Sequence, residues 1–290
     1  MTTFINEQKL PDSFRDTAEK FYLPIAEKIS AQLDNFRLEP FFLGVNGCQG
    51  SGKSTLSLFL SAYFSENSNI SVAVLSLDDF YFSRSERNAL SVKISPLLAT
   101  RGVPGTHDTE RLKTTLASLK KSERNIPLPR FDKATDDPCP SETWPVLKTA
   151  ANLVIMEGWC WGVASQEDSE LANPVNQLEA EKDALGVWRN YVNQALRNDY
   201  EPLYNLMDYW VMLKAPSFDN VYQWRCEQEH KLKAKIGNNS ETRVMSDEQV
   251  LAFIQYYQRL TQHGLATLPE KCDIVLGLDA NRVITPIKGL

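Results

Sequence analysis

Residues 45–60, VNGCQGSGKSTLSLFL, set Gly47, Gly52, Lys53 and Ser54 at the spacing G-x-x-x-x-G-K-[ST], the pattern of a loop that cradles phosphates. Glycine lets the backbone take conformations closed to other residues and come close to a ligand. The amide N–H groups of residues 50–55 can therefore converge on phosphate oxygens. A helix opening at Lys53 adds its positive dipole end. In this reading Lys53 bridges the β- and γ-phosphates, Ser54 ligates Mg²⁺, and Gln49, Gly50, Ser51 and Thr55 complete the nucleotide loop. The competing reading is a glycine-rich turn with an incidental lysine. The apolar run before the loop and the helical one after it favour the nucleotide. Cys48 lies near the helix start, a position that lowers a thiol pKa, but a small filler residue explains it better.

Carboxylates follow two further apolar runs. Asp78 and Asp79 come after SVAVLSL, and Glu157 ends LVIME. At the carboxyl edge of a parallel sheet such acids face the γ-phosphate. Asp78 is suited to accept a proton from an attacking hydroxyl or to hold Mg²⁺ through water. The alternative for the pair is a helix cap. Glu157 has the Walker B arrangement with glutamate in place of aspartate. A charge at the end of a buried strand needs a partner, which is Mg²⁺ or else a nearby Lys or Arg. Downstream, RGVPGTHD carries Arg101, His107 and Asp108, and PRFDK carries Arg130, Asp132 and Lys133. Arginine grips a carboxylate bidentately, and Asp, His or Lys can fix hydroxyls, so these segments suit a small anionic acceptor. Arg101 and Arg130 also read as surface cations, and His107 as a tie across its own turn.

The elements that must position these residues alternate. Strand-like runs at 41–46, 71–77, 151–157, 208–215 and in CDIVLGL are separated by helical stretches near 108–121, 178–199, 217–236 and 246–263. That order predicts an α/β fold with a parallel sheet covered on both faces. A helix over 12–36, capped by Asp12, precedes the first strand. The proline-rich stretch 122–149 reads as a long functional loop over the sheet edge. Ser246 opens a capping box after a break at IGNNS, so 217–263 reads as a helix pair. The whole reads as one domain over 1–290.

Composition bounds the class. The chain has 290 residues, 42% hydrophobic and 23% charged, and 31 basic residues against 37 acidic leave a net charge of −6. Such a surface repels nucleic acid and anionic membrane. The five scattered cysteines favour reduced thiols in a cytoplasm and no structural zinc. The N-terminus lacks the apolar core of a signal peptide, and no run approaches the ~20 apolar residues of a membrane helix. Neither the guanine-reading N-K-x-D nor the L-S-G-G-Q signature of transporter ATPases occurs.

The succession GxxxxGKST, LDDFY, RGVPGTHD, LPRFDKATDD, IMEGW and VYQWRCEQE resembles the D-glycerate 3-kinase family of plants and fungi, within the P-loop group of phosphoribulokinase, uridine kinase and pantothenate kinase. The resemblance runs from about residue 10 to the end. It implies a P-loop kinase fold, ATP and Mg²⁺ as cofactors, and a small hydroxy acid, D-glycerate, as acceptor. It also implies Asp78 as the acid that activates the hydroxyl, with Asp79 and Tyr81 beside it, and Glu157 as the metal-associated acid. A lid over 217–263 would then bring Arg225 to the transferring phosphoryl group, with Lys231, Lys233 and Lys235 on a solvated face. A kinase for another acceptor, such as a nucleoside or pantothenate, and a nucleotide-dependent switch are the rival readings.

Overall fold

Strands covered on both faces need no polar alternation, and the apolar runs form such strands: β1 (Phe41–Gly47), β2 (Val72–Ser76), β3 (Leu153–Gly158), β4 (Tyr209–Lys214) and β5 (Ile274–Leu278). The computed structural model describes residues 1–33, 39–67, 70–236 and 244–290. Every residue of β1, β3 and β5 is buried. These five strands are mutually parallel, and a sixth, β6 (Ile284–Lys288), pairs antiparallel with β5. The order across the sheet is β6-β5-β4-β1-β3-β2. The antiparallel edge departs from the all-parallel expectation. Pro286 disguises it in the sequence, because proline lacks the N–H a strand interior needs and is confined to edges.

Among the described residues seven longer helices accompany the sheet: α1 (Leu23–Leu33), α2 (Lys53–Asn67), α3 (Arg84–Lys93), α4 (Thr109–Lys120), α5 (Val187–Ala195), α6 (Phe218–Ile236) and α7 (Asp247–Lys271). The helix expected over 12–36 is irregular. Phe14–Thr17 passes through a π-helical turn at Ala18–Tyr22 into α1, a further helix covers Thr2–Glu7, and residues 34–36 lie outside the described residues. Pro24 follows the π turn and has no N–H to close an ordinary helical bond there. Ser13, not Asp12, occupies the cap position. The helix expected over 178–199 splits at Gly186, whose φ is +73°, and the Asp183 carboxylate accepts from the N–H groups of Trp188 (2.7 Å) and Arg189 (3.1 Å) to start α5. The Ser246–Gln249 capping box opens α7 as expected, whereas residues 237–240 of the IGNNS break lie outside the described residues.

The stretch 122–149 is not featureless. Ile126–Pro127 pairs with Val146–Leu147, and Phe131–Asp132 with Asp137–Pro138. No helix among the described residues is long and apolar enough to cross a membrane. Because β1, β2 and β3 run parallel, their carboxyl ends share one edge of the sheet, and this brings Gly47, Asp78 and Glu157 together from three distant parts of the chain.

Candidate active site

The loop after β1 turns on two glycines in the left-handed region, Gly50 (φ +80°) and Gly52 (φ +92°), which other residues reach only under strain. A side chain at Gly50 would also press on Trp224 of α6, 3.0 Å from its Cβ. Arg282, in the turn between β5 and β6, donates from Nε to the Gly50 carbonyl (3.0 Å) and lies 5.0 Å from the centre of the Trp224 ring. The loop is thus packed between the first turns of α6 and the turn after β5. Cys48 is buried within it, and burial pushes its thiol up to about 12. The environment is therefore opposite to that of a thiolate-forming helix start.

Register sets the next contact: β1 lies beside β3 with Val45 opposite Glu157. Ser54 at the start of α2 donates from Oγ to Glu157 Oε1 at 2.7 Å, and Lys53 Nζ stands 3.9 Å from Oε2. Glu157 Oε2 is buried and makes no hydrogen bond. Asn46, which the sequence reading missed, donates from Nδ2 to the carbonyls of Trp159 (3.2 Å) and Trp161 (2.8 Å) and so shapes the turn after Glu157. Burial presses the Lys53 ammonium down, but the carboxylates of Glu157 and Asp78 outweigh it and leave its pKa raised. A hydroxyl, a carboxylate oxygen without a hydrogen bond and a fixed cation fit a hard divalent ion that draws its remaining ligands from phosphate and water. Of the three residues expected at a metal, Ser54 and Glu157 meet directly.

Asp78 is held otherwise. It lies in a 3₁₀ turn, Leu77–Phe80, directly after β2. Tyr81 donates its hydroxyl to Asp78 Oδ1 (2.8 Å) and Lys133 donates to Oδ2 (2.6 Å). Burial raises the Asp78 carboxyl, yet Lys133, Lys53 and these two hydrogen bonds bring it to about 2. Asp79 turns away to Arg130 (3.3 Å) and the backbone N–H of Phe131 (3.3 Å), and burial leaves its carboxyl raised. The two aspartates therefore have different tasks: Asp78 faces the cleft and Asp79 anchors the 130s segment.

Four residues expected to bind the acceptor are engaged elsewhere, and none lines the cleft. His107 is buried, stacked on Tyr81 (4.5 Å between ring centres), with Nδ1 2.6 Å from the Tyr200 hydroxyl. Burial pushes its pKa down to about 3, so the ring is neutral. Its tie runs to a side chain rather than to the backbone. Asp108 caps α4 by accepting from the Arg111 N–H (2.9 Å). Asp132 accepts from the Ala134 N–H (2.9 Å) and the Thr135 hydroxyl (2.8 Å), closing its own turn. Arg130 is spent on Asp79 and the Pro129 carbonyl (2.7 Å). For Asp108 and Asp132 the cause is that turns leave backbone donors open, and short polar side chains satisfy them.

What remains is a cleft of about 290 Å³ whose lining includes Gln49, Lys53, Asp78, Tyr81, Arg101, Lys133 and Arg225. Arg101 pairs with Asp136, and Arg225 pairs with Glu229 one turn along α6. Lys231 and Lys233 are exposed, and the Lys235 side chain lies outside the described residues. Trp159, Gln228, Phe253 and Tyr257 also line the cleft and were not singled out from sequence as lining residues. Phe253 and Tyr257 stand four apart in α7, a spacing that reads simply as a core face. Trp159 donates to the Gly102 carbonyl (2.9 Å) and Tyr257 to the Arg101 carbonyl (3.1 Å), pinning the Arg101 turn. The cleft thus joins a phosphate loop and its acid to a second carboxylate and three further cations, an arrangement for moving a phosphoryl group from a nucleotide to an oxygen acceptor.

Comparison with known proteins bears on that reading. The chain is 34% identical over 246 residues to an uncharacterised kinase of Schizosaccharomyces pombe, covering 80% of this chain and 83% of that one. It is 27% identical over 307 residues to the chloroplastic D-glycerate 3-kinase of Arabidopsis thaliana, covering 98% of this chain and 63% of the plant protein. The chain belongs to the D-glycerate 3-kinase family. The solved structure of a D-glycerate 3-kinase from Cryptococcus neoformans superposes with a TM-score of 0.75 at 27% identity, covering 92% of this chain and 99% of that one. No family model matches the sequence. Within the D-glycerate 3-kinase family, the mostly parallel sheet and the loop at Gly47–Ser54 are those of an ATP-dependent P-loop kinase with a hydroxyl acceptor.

Proposed function

We propose that this kinase transfers the γ-phosphoryl group of MgATP to a hydroxyl of D-glycerate, forming 3-phosphoglycerate. The observation that carries the reading is the cleft lined by Lys53, Asp78, Arg101 and Lys133, with Glu157 beside Lys53 and bonded to Ser54. Support for the acceptor also comes from the two relatives that bear the name D-glycerate 3-kinase. The loop amides of residues 50–55 and Lys53 hold the nucleotide phosphates. Ser54 and Glu157 would hold Mg²⁺, which screens phosphate charge when bound. Asp78 receives the hydrogen bond of the acceptor hydroxyl. Held at about 2, it is a weak base, so its main work is to aim the hydroxyl. That suffices where the bond to ADP is largely broken before the new bond forms, so the attacking hydroxyl gains little positive charge. Arg101 and Lys133 meet the acceptor carboxylate, and Arg225, on α6 of a lid formed by α6 and α7, neutralises charge on the moving phosphoryl group. The chain is read as one kinase domain, and its five free cysteines suit a reducing compartment such as the cytoplasm.

An acceptor panel tests this. ADP release is measured with D-glycerate, glycerol, nucleosides and pantothenate. D-Glycerate should support turnover far above the others. Equal turnover with glycerol or a nucleoside would refute the acceptor, and slow hydrolysis indifferent to every acceptor would refute the kinase reading in favour of a switch.

A further inference from the structure

Four cations line the cleft, and they are not equally free. The side chains of Lys53, Arg101 and Arg225 are 15%, 30% and 20% exposed, whereas that of Lys133 is 61% exposed. The backbone beneath Lys133 is fixed. Phe131 N–H is bonded to Asp79, Asp132 closes its turn onto Ala134, and buried Arg87 donates to the Asp136 carbonyl (3.1 Å) and pairs with its carboxylate (2.8 Å). The Lys133 side chain can therefore swing while the segment stays. Its ammonium sits on Asp78 Oδ2 while Tyr81 holds Oδ1, so each carboxylate oxygen already carries a donor before any acceptor arrives.

We propose that Lys133 is a specificity-determining residue that masks Asp78 until an acceptor carboxylate draws it away. The inference rests on the acceptor being a hydroxy acid. The exchange gives Lys133 one carboxylate in place of another, so drawing it from Asp78 to the acceptor is close to neutral. Tyr81 keeps Asp78 oriented during the exchange, and Oδ2 becomes free for the acceptor hydroxyl. As the acceptor O–P bond forms and the bond to ADP breaks, the hydroxyl proton passes to Oδ2 and on to solvent. An uncharged alcohol offers Lys133 no replacement partner and must displace it uncompensated. Water faces the same obstacle, so masking also restrains wasteful ATP hydrolysis.

Lys133→Met tests this in two arms. In the first, kcat/KM for D-glycerate should fall about ten- to a hundred-fold, the range of one lost charged hydrogen bond, while kcat/KM for glycerol holds or rises; Lys133→Arg should restore most of the preference. In the second, ATP hydrolysis without any acceptor should rise above wild type. A parallel fall for both acceptors, or acceptor-free hydrolysis that does not rise, overturns the proposal and leaves Lys133 a strut of its turn. If wild-type enzyme ignores D-glycerate, the substrate reading fails by itself, and the hydrolysis arm still decides the masking.

Discussion

Lys53→Ala should do two separable things. It should abolish phosphoryl transfer, and it should destabilise the empty enzyme. A lysine on an open glycine loop could be removed without effect on stability. Here Lys53 is 15% exposed and stands 3.9 Å from a Glu157 side chain that is 5% exposed. At that 3.9 Å separation an effective dielectric of about 20 gives roughly 4 kcal/mol of attraction. Stripping the partner from a buried ion pair costs about that much. At about 2 °C per kcal/mol for a chain of this size, the variant should melt about 8 °C below wild type. Calorimetry of both proteins without nucleotide measures it. An unchanged Tm would show that Lys53 does not balance the Glu157 charge, and undiminished turnover would remove the phosphate-loop assignment.

Asp78→Asn should leave nucleotide binding intact while turnover falls on the order of 10²–10⁴-fold. Asp79→Asn should cost less turnover but loosen the 130s segment, since Asp79 serves Arg130 and Phe131; reversed effects in steady-state kinetics would exchange the two roles. His107, held at about 3 against an ordinary value of 6.5, stays neutral when the folded protein is acidified. The unfolded chain binds a proton there first, so stability falls as pH drops below about 6.5, by roughly 2 kcal/mol at pH 5. His107→Asn should lack that part of the slope between pH 7 and pH 5 in denaturant titrations.

The legible parts of this molecule are those where one local rule decides. Gly50, Gly52 and Lys53 stand in a loop that only such residues can form, and the runs leading to Asp78 and Glu157 are apolar enough to be buried strands. Their convergence follows from parallel strands alone. The acceptor side was harder to read because the same residue types serve both turns and ligands. Asp108 and Asp132 satisfy nearby backbone N–H groups, and only three-dimensional contacts distinguish that from holding a hydroxyl. Arg130 and Arg101 carry the same charge at similar motifs, yet their partners are Asp79 and Asp136, and no spacing announces which of them stays in the cleft. Phe253 and Tyr257 were hidden by looking like core, and β6 by its proline.

The strand order has a kinetic consequence. β1 carries the phosphate loop, and its two neighbours are β3 and β4, the nearer of which begins at Leu153 and the farther of which ends at Lys214. During synthesis the buried run Phe41–Gly47 therefore leaves the ribosome without either partner and waits for more than a hundred residues of chain. At ~5–20 residues per second that is several seconds of exposed apolar strand. Pairings so distant in sequence also close slowly once the chain is complete. The loop that binds nucleotide can form only after that closure, so ATP is unable to assist the early steps of folding. The same run is the segment a chaperone would be expected to hold.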